Sequence, residues 1–131
     1  MAKAIHSMIR VADKKRSLEF YSKAFDLVVA DIFDFDGFML IYLSNEETEF
    51  ELELTVNKGH GKPYDLGDGY GHIAFSVADI HEERRRLSAL GLSPGDVKSL
   101  EHDGQKLATF FFIEDPDGYK IEILQRAGRY K

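Results

Sequence analysis

An eight-residue stretch near the start of this chain returns in its middle. His6-Ser7-Met8-Ile9-Arg10-Val11-Ala12-Asp13 is matched position for position by His72-Ile73-Ala74-Phe75-Ser76-Val77-Ala78-Asp79. The opening His moves from 6 to 72 and the closing Asp from 13 to 79, the same displacement at both ends. A second correspondence lies further along each copy, Leu52-Glu53-Leu54 against Ile121-Glu122-Ile123. A chain made of two copies of one supersecondary unit sets equivalent residues in equivalent surroundings. A lone His or a lone Glu carries little information, but both recurring at near-equal spacing is a constraint on fold and chemistry together.

The local patterns say what the unit is. From Ala4 to Val11 the side chains alternate, with Ile5, Ser7, Ile9 and Val11 on one side and His6, Met8 and Arg10 on the other, which predicts a strand. Asp13 then caps a helix running to about Phe25, with Leu18, Tyr21 and Phe25 as its buried stripe. Strands over 27–35 and 38–43 meet at Asp36-Gly37, a favoured hairpin turn. In a third strand, 49–57, Phe50, Leu52, Leu54 and Val56 oppose Glu49, Glu51, Glu53, Thr55 and Asn57. The glycines from Gly59 to Gly71, with Pro63, forbid a long regular element. In the second copy Asp79 and Glu82 form a capping box and Gly91 ends the helix. Strands near 96–101, 107–113 and 119–124 follow, with Phe110-Phe111-Phe112 assigned to the core. The expected fold is α+β: a single domain over 1–131 of two βαβββ modules with curved mixed sheets, about 4–57 and 71–125, around a loop at about 58–70.

Before the last strand, Glu114-Asp115-Pro116-Asp117-Gly118 reads as a tight turn. Pro116 presets φ, Asp115 can bond its own backbone, and Gly118 tolerates the exit conformation. Tyr119, Ile121 and Ile123 then share one face, and Lys120, Glu122 and Leu124 the other. Glu122 thus sits among apolar residues, where a charge is costly unless paired, bound to metal or wet. By the repeat, His6, Glu53, His72 and Glu122 all occupy the polar faces of their strands, opposite the faces that the helices cover. Two imidazoles and two carboxylates converging in a cleft make a nitrogen–oxygen metal site. It suits six-coordinate nickel, cobalt or manganese, or zinc with an expanded shell. Glu51 shares the face of Glu53 and rivals it, but the repeat alignment favours Glu53. His60 and His102 fall in polar loops and His81 in a first helical turn, all read as solvated surface. Arg84-Arg85-Arg86 reads as an exposed helix face, with Glu82 and Arg86 paired at i,i+4.

Bulk properties narrow the partners. A net charge of -6 disfavours nonspecific binding to nucleic acid or anionic membrane. With no cysteine there is no disulfide, thiolate metal site or cysteine nucleophile. No apolar run is long enough to span a membrane, and the N-terminus lacks the apolar core of a signal peptide. A soluble cytoplasmic domain is expected.

With these motifs in place, the chain resembles the glyoxalase I (lactoylglutathione lyase) family of the vicinal-oxygen-chelate superfamily, in its short bacterial form. The matching segments are Ile5 to Val11, Leu52 to Asn57, Gly71 to Val77 and Glu114 to Ile123, in the family's order along nearly the whole chain. The resemblance implies metal ligands at His6, Glu53, His72 and Glu122, one divalent ion per site, nickel or cobalt favoured and zinc also accommodated. It implies a homodimer whose sites each draw one His–Glu pair from either subunit. The implied reaction isomerises the hemithioacetal of glutathione and methylglyoxal to S-lactoylglutathione through an enediolate. Glu122 is the principal base in that reading, and Glu53, its symmetry mate, serves the other face of the substrate. Arg10 shares the face of His6 roughly 13 Å along the strand, a reach that suits a substrate carboxylate. Thr55 and Asn57 match the family's glutathione-contacting pair, and Lys106, in the flexible segment Glu101 to Lys106, aligns with a lysine that closes over the substrate. Asp68 stands where some members carry an arginine four residues before the second metal His. The alternatives are a methylmalonyl-CoA-type epimerase, which usually has Gln at the position of Glu53, and a metal-free small-molecule binding or resistance protein, which loses the ligands. This chain keeps all four.

Overall fold

Asp13 and Asp79 decide where each half of the chain turns from strand to helix. Asp13 (φ -137, ψ 110) accepts a hydrogen bond from the Arg16 N–H, and Asp79 (φ -138, ψ 104) accepts from the His81 and Glu82 N–H groups. Each extended cap satisfies donors that the first helical turn would otherwise leave orphaned. The near-identical dihedrals make the sequence repeat a structural one.

The computed structural model describes residues 1–131, which divide into two units, Met1–Asp65 and Leu66–Lys131. The first holds β1 (His6–Arg10), α1 (Lys14–Phe25), β2 (Val28–Asp34), β3 (Phe38–Ser44) and β4 (Glu51–Asn57). The second holds β5 (Ile73–Val77), α2 (Ile80–Ala89), β6 (Lys98–His102), β7 (Gln105–Glu114) and β8 (Lys120–Gln125). Each is a βαβββ module with one mixed four-stranded sheet, of order β1-β4-β3-β2 in the first and β5-β8-β7-β6 in the second. In both, the first and last strands run parallel and the other pairs antiparallel. The fold is α+β, as the patterns predicted.

Each helix covers the apolar side of its own sheet. In the first unit Tyr21, Ala24 and Phe25 are buried together with Ile41, Leu43, Leu52 and Leu54, and in the second Ile80 and Leu87 with Phe111, Ile113, Ile121 and Ile123. The stripe on α1 differs from the expected one. Ser17, Phe20, Tyr21, Ala24 and Phe25 are buried, while Leu18 is only half-buried, because the helix is rotated toward its Phe20–Tyr21 edge. Of the phenylalanine run only Phe111 is fully buried; Phe110 and Phe112 lie on the opposite face of β7 and are half-buried. On α2 the charges pair at i,i+3, Arg85 with Glu82 and Arg86 with Glu83, while Arg84 donates to the Gly95 and Pro94 carbonyls. Glu82 therefore turns to Arg85 instead of completing the expected i,i+4 pair with Arg86.

Two turns rest on left-handed residues. Asp26 takes the left-handed conformation (φ 53) and ends α1, with its N–H donating to the Ser22 carbonyl. Aspartate tolerates this region better than most residues with a side chain. The segment Glu101 to Lys106, expected to be flexible, is a hairpin in which Glu101 pairs with Lys106 and His102 with Gln105. Asp103 (φ 52) and Gly104 (φ 74) form its two-residue turn, the left-handed pair that matches strand twist. Lys106 and His102 are thus strand residues.

Candidate metal centre

Strand register brings the repeated residues together within each unit. In the parallel pair β1–β4, Met8 lies opposite Glu53, so His6, two residues earlier, shares that face and leans forward to it. The His6 Nε2 stands 3.0 Å from Glu53 Oε2. In β5–β8, Ala74 lies opposite Glu122, and His72, again two residues earlier, reaches Glu122 Oε2 at 2.9 Å. The two pairs are equivalent in strand register, not only in sequence spacing. His6 passes over its own register partner, Glu51, to meet Glu53.

The third strand of each sheet closes the pair from the other side. Tyr42 on β3 is the register partner of Glu53, and its hydroxyl donates to Glu53 Oε1 at 3.0 Å. Its ring meets the His6 imidazole edge-on, with centroids 5.7 Å apart and planes at 75°. On β7, Phe112 is the register partner of Glu122, and its ring meets His72 at 5.5 Å and the same 75°. The packing is conserved between the halves; the hydroxyl is not. Glu53 therefore has both oxygens engaged and is only 7% exposed, whereas Glu122 is held through Oε2 alone. The hydrogen bond to Glu53, helped by burial and by the charges of Glu53, Glu51 and Asp31, holds the Tyr42 phenol above its usual 10.0.

The donor chemistry fits a divalent cation of intermediate hardness. Each pair sets one imidazole nitrogen within 3.0 Å of a carboxylate oxygen, the mixed nitrogen–oxygen donor set that such a cation takes. One unit supplies two donors, and no group of three or more His, Asp or Glu side chains able to hold a metal occurs in the chain.

The remaining expected residues are spread over both units. Arg10 and Thr55 are register partners on the β1–β4 pair that carries His6 and Glu53; Thr55 is buried and Arg10 exposed. Asn57 ends β4, and its Nδ2 donates to the Tyr64 hydroxyl at 3.1 Å. Lys106 lies on β7 in the second unit. His60 is not the solvated residue expected from its loop: it stacks on Tyr64 at 3.9 Å and 3°, with its Nε2 buried and without a hydrogen-bond partner. Stacking on an aromatic ring is what draws it in. Tyr42 and Tyr64 both went unnoticed in the sequence. Aligning β3 with β7 through the repeat sets Tyr42 against Phe112 and would have found the first; nothing in the local pattern marks the second.

Duplicated βαβββ modules, each carrying an imidazole–carboxylate pair on one face of its sheet, define a two-module α+β class of protein. Residues 3–123 match the model of the "Glyoxalase/Bleomycin resistance protein/Dioxygenase superfamily", and the chain belongs to that family. It is 37% identical over 133 residues to a Synechocystis protein named "Probable lactoylglutathione lyase", covering 95% of this chain and 96% of that one. It is 36% identical over 133 residues to the lactoylglutathione lyase of Escherichia coli O157:H7, covering 95% of each. Among solved structures it resembles the trypanothione-dependent glyoxalase I of Leishmania major, with a TM-score of 0.76 and 32% identity over 95% of this chain and 87% of that one. No helix is long and apolar enough to cross a membrane.

Proposed function

We propose that this protein is a lactoylglutathione lyase, a glyoxalase I, which converts the hemithioacetal of methylglyoxal and glutathione to S-lactoylglutathione. The observation that carries the reading is the His–Glu pair repeated in the same strand register, 3.0 Å in one unit and 2.9 Å in the other. The full-length similarity to lactoylglutathione lyases supports it. His6, Glu53, His72 and Glu122 would hold one divalent ion, nickel or cobalt in preference and zinc in reserve. The units act as one glyoxalase-like domain, and a homodimer completes each site, with one pair from either subunit. When bound, the ion supplies Lewis-acid stabilisation of negative oxygen during the reaction.

Glu122 carries the proton. Its carboxylate takes the hydrogen from the carbon that bears the hydroxyl and the sulfur, and that C–H electron pair becomes the double bond of an enediolate as the neighbouring carbonyl oxygen takes the charge. Glu122 then returns the proton to the neighbouring carbon, and the first carbon becomes the thioester carbonyl as its hydroxyl proton passes to the second oxygen. Base assistance of this kind is worth about 10²–10⁴-fold. Glu53 serves the opposite face of the substrate. Arg10 takes a glutathione carboxylate through its two-pronged guanidinium, Thr55 and Asn57 bond the peptide, and Lys106 closes over it. A reducing cytoplasm, rich in free thiol, is the compartment this chemistry needs.

The test is ultraviolet detection of thioester from methylglyoxal by protein loaded with nickel, cobalt or zinc. Formation that depends on glutathione is expected. No thioester with any of the three metals rejects the assignment, and a panel that includes trypanothione identifies the thiol.

A further inference from the structure

We propose that the Tyr42 hydroxyl makes the two acid ligands unequal, fixing Glu53 as a standing ligand and leaving Glu122 as the one able to move. This rests on the metal site and reaction proposed above. The framework of the two half-sites is matched: His on the first strand, Glu on the last, an aromatic ring from the neighbouring strand edge-on to the imidazole at 75°. One oxygen atom breaks the match. Tyr42 donates to Glu53 Oε1 at 3.0 Å while His6 holds Oε2, so turning the carboxylate breaks a charge-assisted hydrogen bond. Phe112 has no hydroxyl to offer Glu122 Oε1, which is therefore free to swing without that loss. Glu53 is also the more deeply buried of the two, its side chain 9% exposed against 16% for Glu122.

A base that cycles between holding a cation and carrying a proton has to reorient; a ligand that keeps the cation in place must not. The hydroxyl allots these tasks. Tyr42 is a positioning residue, whose hydroxyl acts on the cation and the substrate through Glu53. Hydrogen bonds to metal ligands of this kind typically govern about 10–100-fold in affinity or activity.

Three variants test the inference in the intact dimer. Tyr42→Phe keeps the ring and removes only the hydroxyl. Titration calorimetry with nickel should show an affinity about 10–100-fold weaker than wild type. Phe112→Tyr installs the missing donor opposite Glu122, and kcat should fall by about 10–100-fold with KM unchanged. In the double exchange, Tyr42→Phe with Phe112→Tyr, Glu53 becomes the untethered acid, and kcat should recover relative to Phe112→Tyr alone. Nickel affinity of Tyr42→Phe equal to wild type, or full kcat in Phe112→Tyr, overturns the proposal. Either result in a wild type that binds nickel and forms the thioester leaves the assigned reaction standing. A wild type that does neither removes the reaction itself.

Discussion

Replacing Asp115 by alanine should loosen the start of β8, the strand that carries Glu122. Asp115 is 5% exposed, and its Oδ1 accepts from both the Asp117 and Tyr119 N–H groups at 2.9 Å. The backbone bonds of the same turn, Asp115 N–H to the Tyr119 carbonyl and Gly118 N–H to the Asp115 carbonyl, survive the substitution. The bonds from Asp117 and Tyr119 are not equal. Asp117 is half-exposed and its N–H can take water, so little is lost there. Tyr119 is 8% exposed, and its N–H loses the carboxylate oxygen to which it donates. A hydrogen bond to a charged group contributes about 1.5–3 kcal/mol, and release of the buried carboxylate offsets part of the total. The expected destabilisation is about 2–3 kcal/mol. At a urea m-value of about 1–3 kcal/mol/M this lowers the unfolding midpoint by about 0.7–3 M. Asp115→Asn keeps one acceptor oxygen and should lose about half as much. Urea unfolding followed by circular dichroism, with exposed Glu19→Ala as control, measures both. If Asp115→Ala shifts the midpoint no more than Glu19→Ala does, the turn does not depend on this carboxylate and the reasoning fails.

Glu122→Gln should lower turnover by about 10²–10⁴-fold while nickel still binds in calorimetry; full turnover would move the base to another residue. Asp79 accepts from the Glu82 N–H and, against some opposing burial, from the His81 N–H, with Arg85 and His81 nearby, and its carboxyl lies below its usual 3.8. A depressed carboxylate stabilises the fold above its ordinary value and loses that contribution as pH falls through the folded one. The stability gap between wild type and Asp79→Ala should therefore be flat from neutrality to about pH 5 and narrow below about pH 4; a gap that widens on acidification contradicts the capping role. Leu54→Ala removes a fully buried side chain of β4 and should cost about 2–5 kcal/mol in urea unfolding, a loss below about 1 kcal/mol placing the core elsewhere.

The repeat made the architecture readable, because period-two alternation and two aspartate caps recur in the same order in both halves. The His–Glu pairing was readable for a geometric reason: residues on one face of adjacent strands come within reach of each other. What alternation cannot express is a partner on a third strand. Tyr42 reads as one more residue of a strand until register sets it beside Glu53. Left-handed positions were equally hard to see. Asp26 ends α1 with a residue that has a side chain, and Asp103-Gly104 turns a polar stretch into a hairpin that fixes Lys106 on a strand. Composition gives no cue to either, since the same residues also fill irregular loops.

The parallel pairing of first and last strands carries a consequence for how the protein matures. The contacts of β2 with β3 and of β3 with β4 join neighbours in the chain, whereas β1 meets β4 only after the intervening helix and hairpins have been threaded between them. Non-local pairings of this kind close slowly. Because each imidazole comes from the opening strand and each acid from the closing one, a chain in which these strands have not yet met has no His–Glu pair. On the proposed ligand set, a cation could be captured only once the opening and closing strands of each module have met, and a bound ion would hold that seam shut.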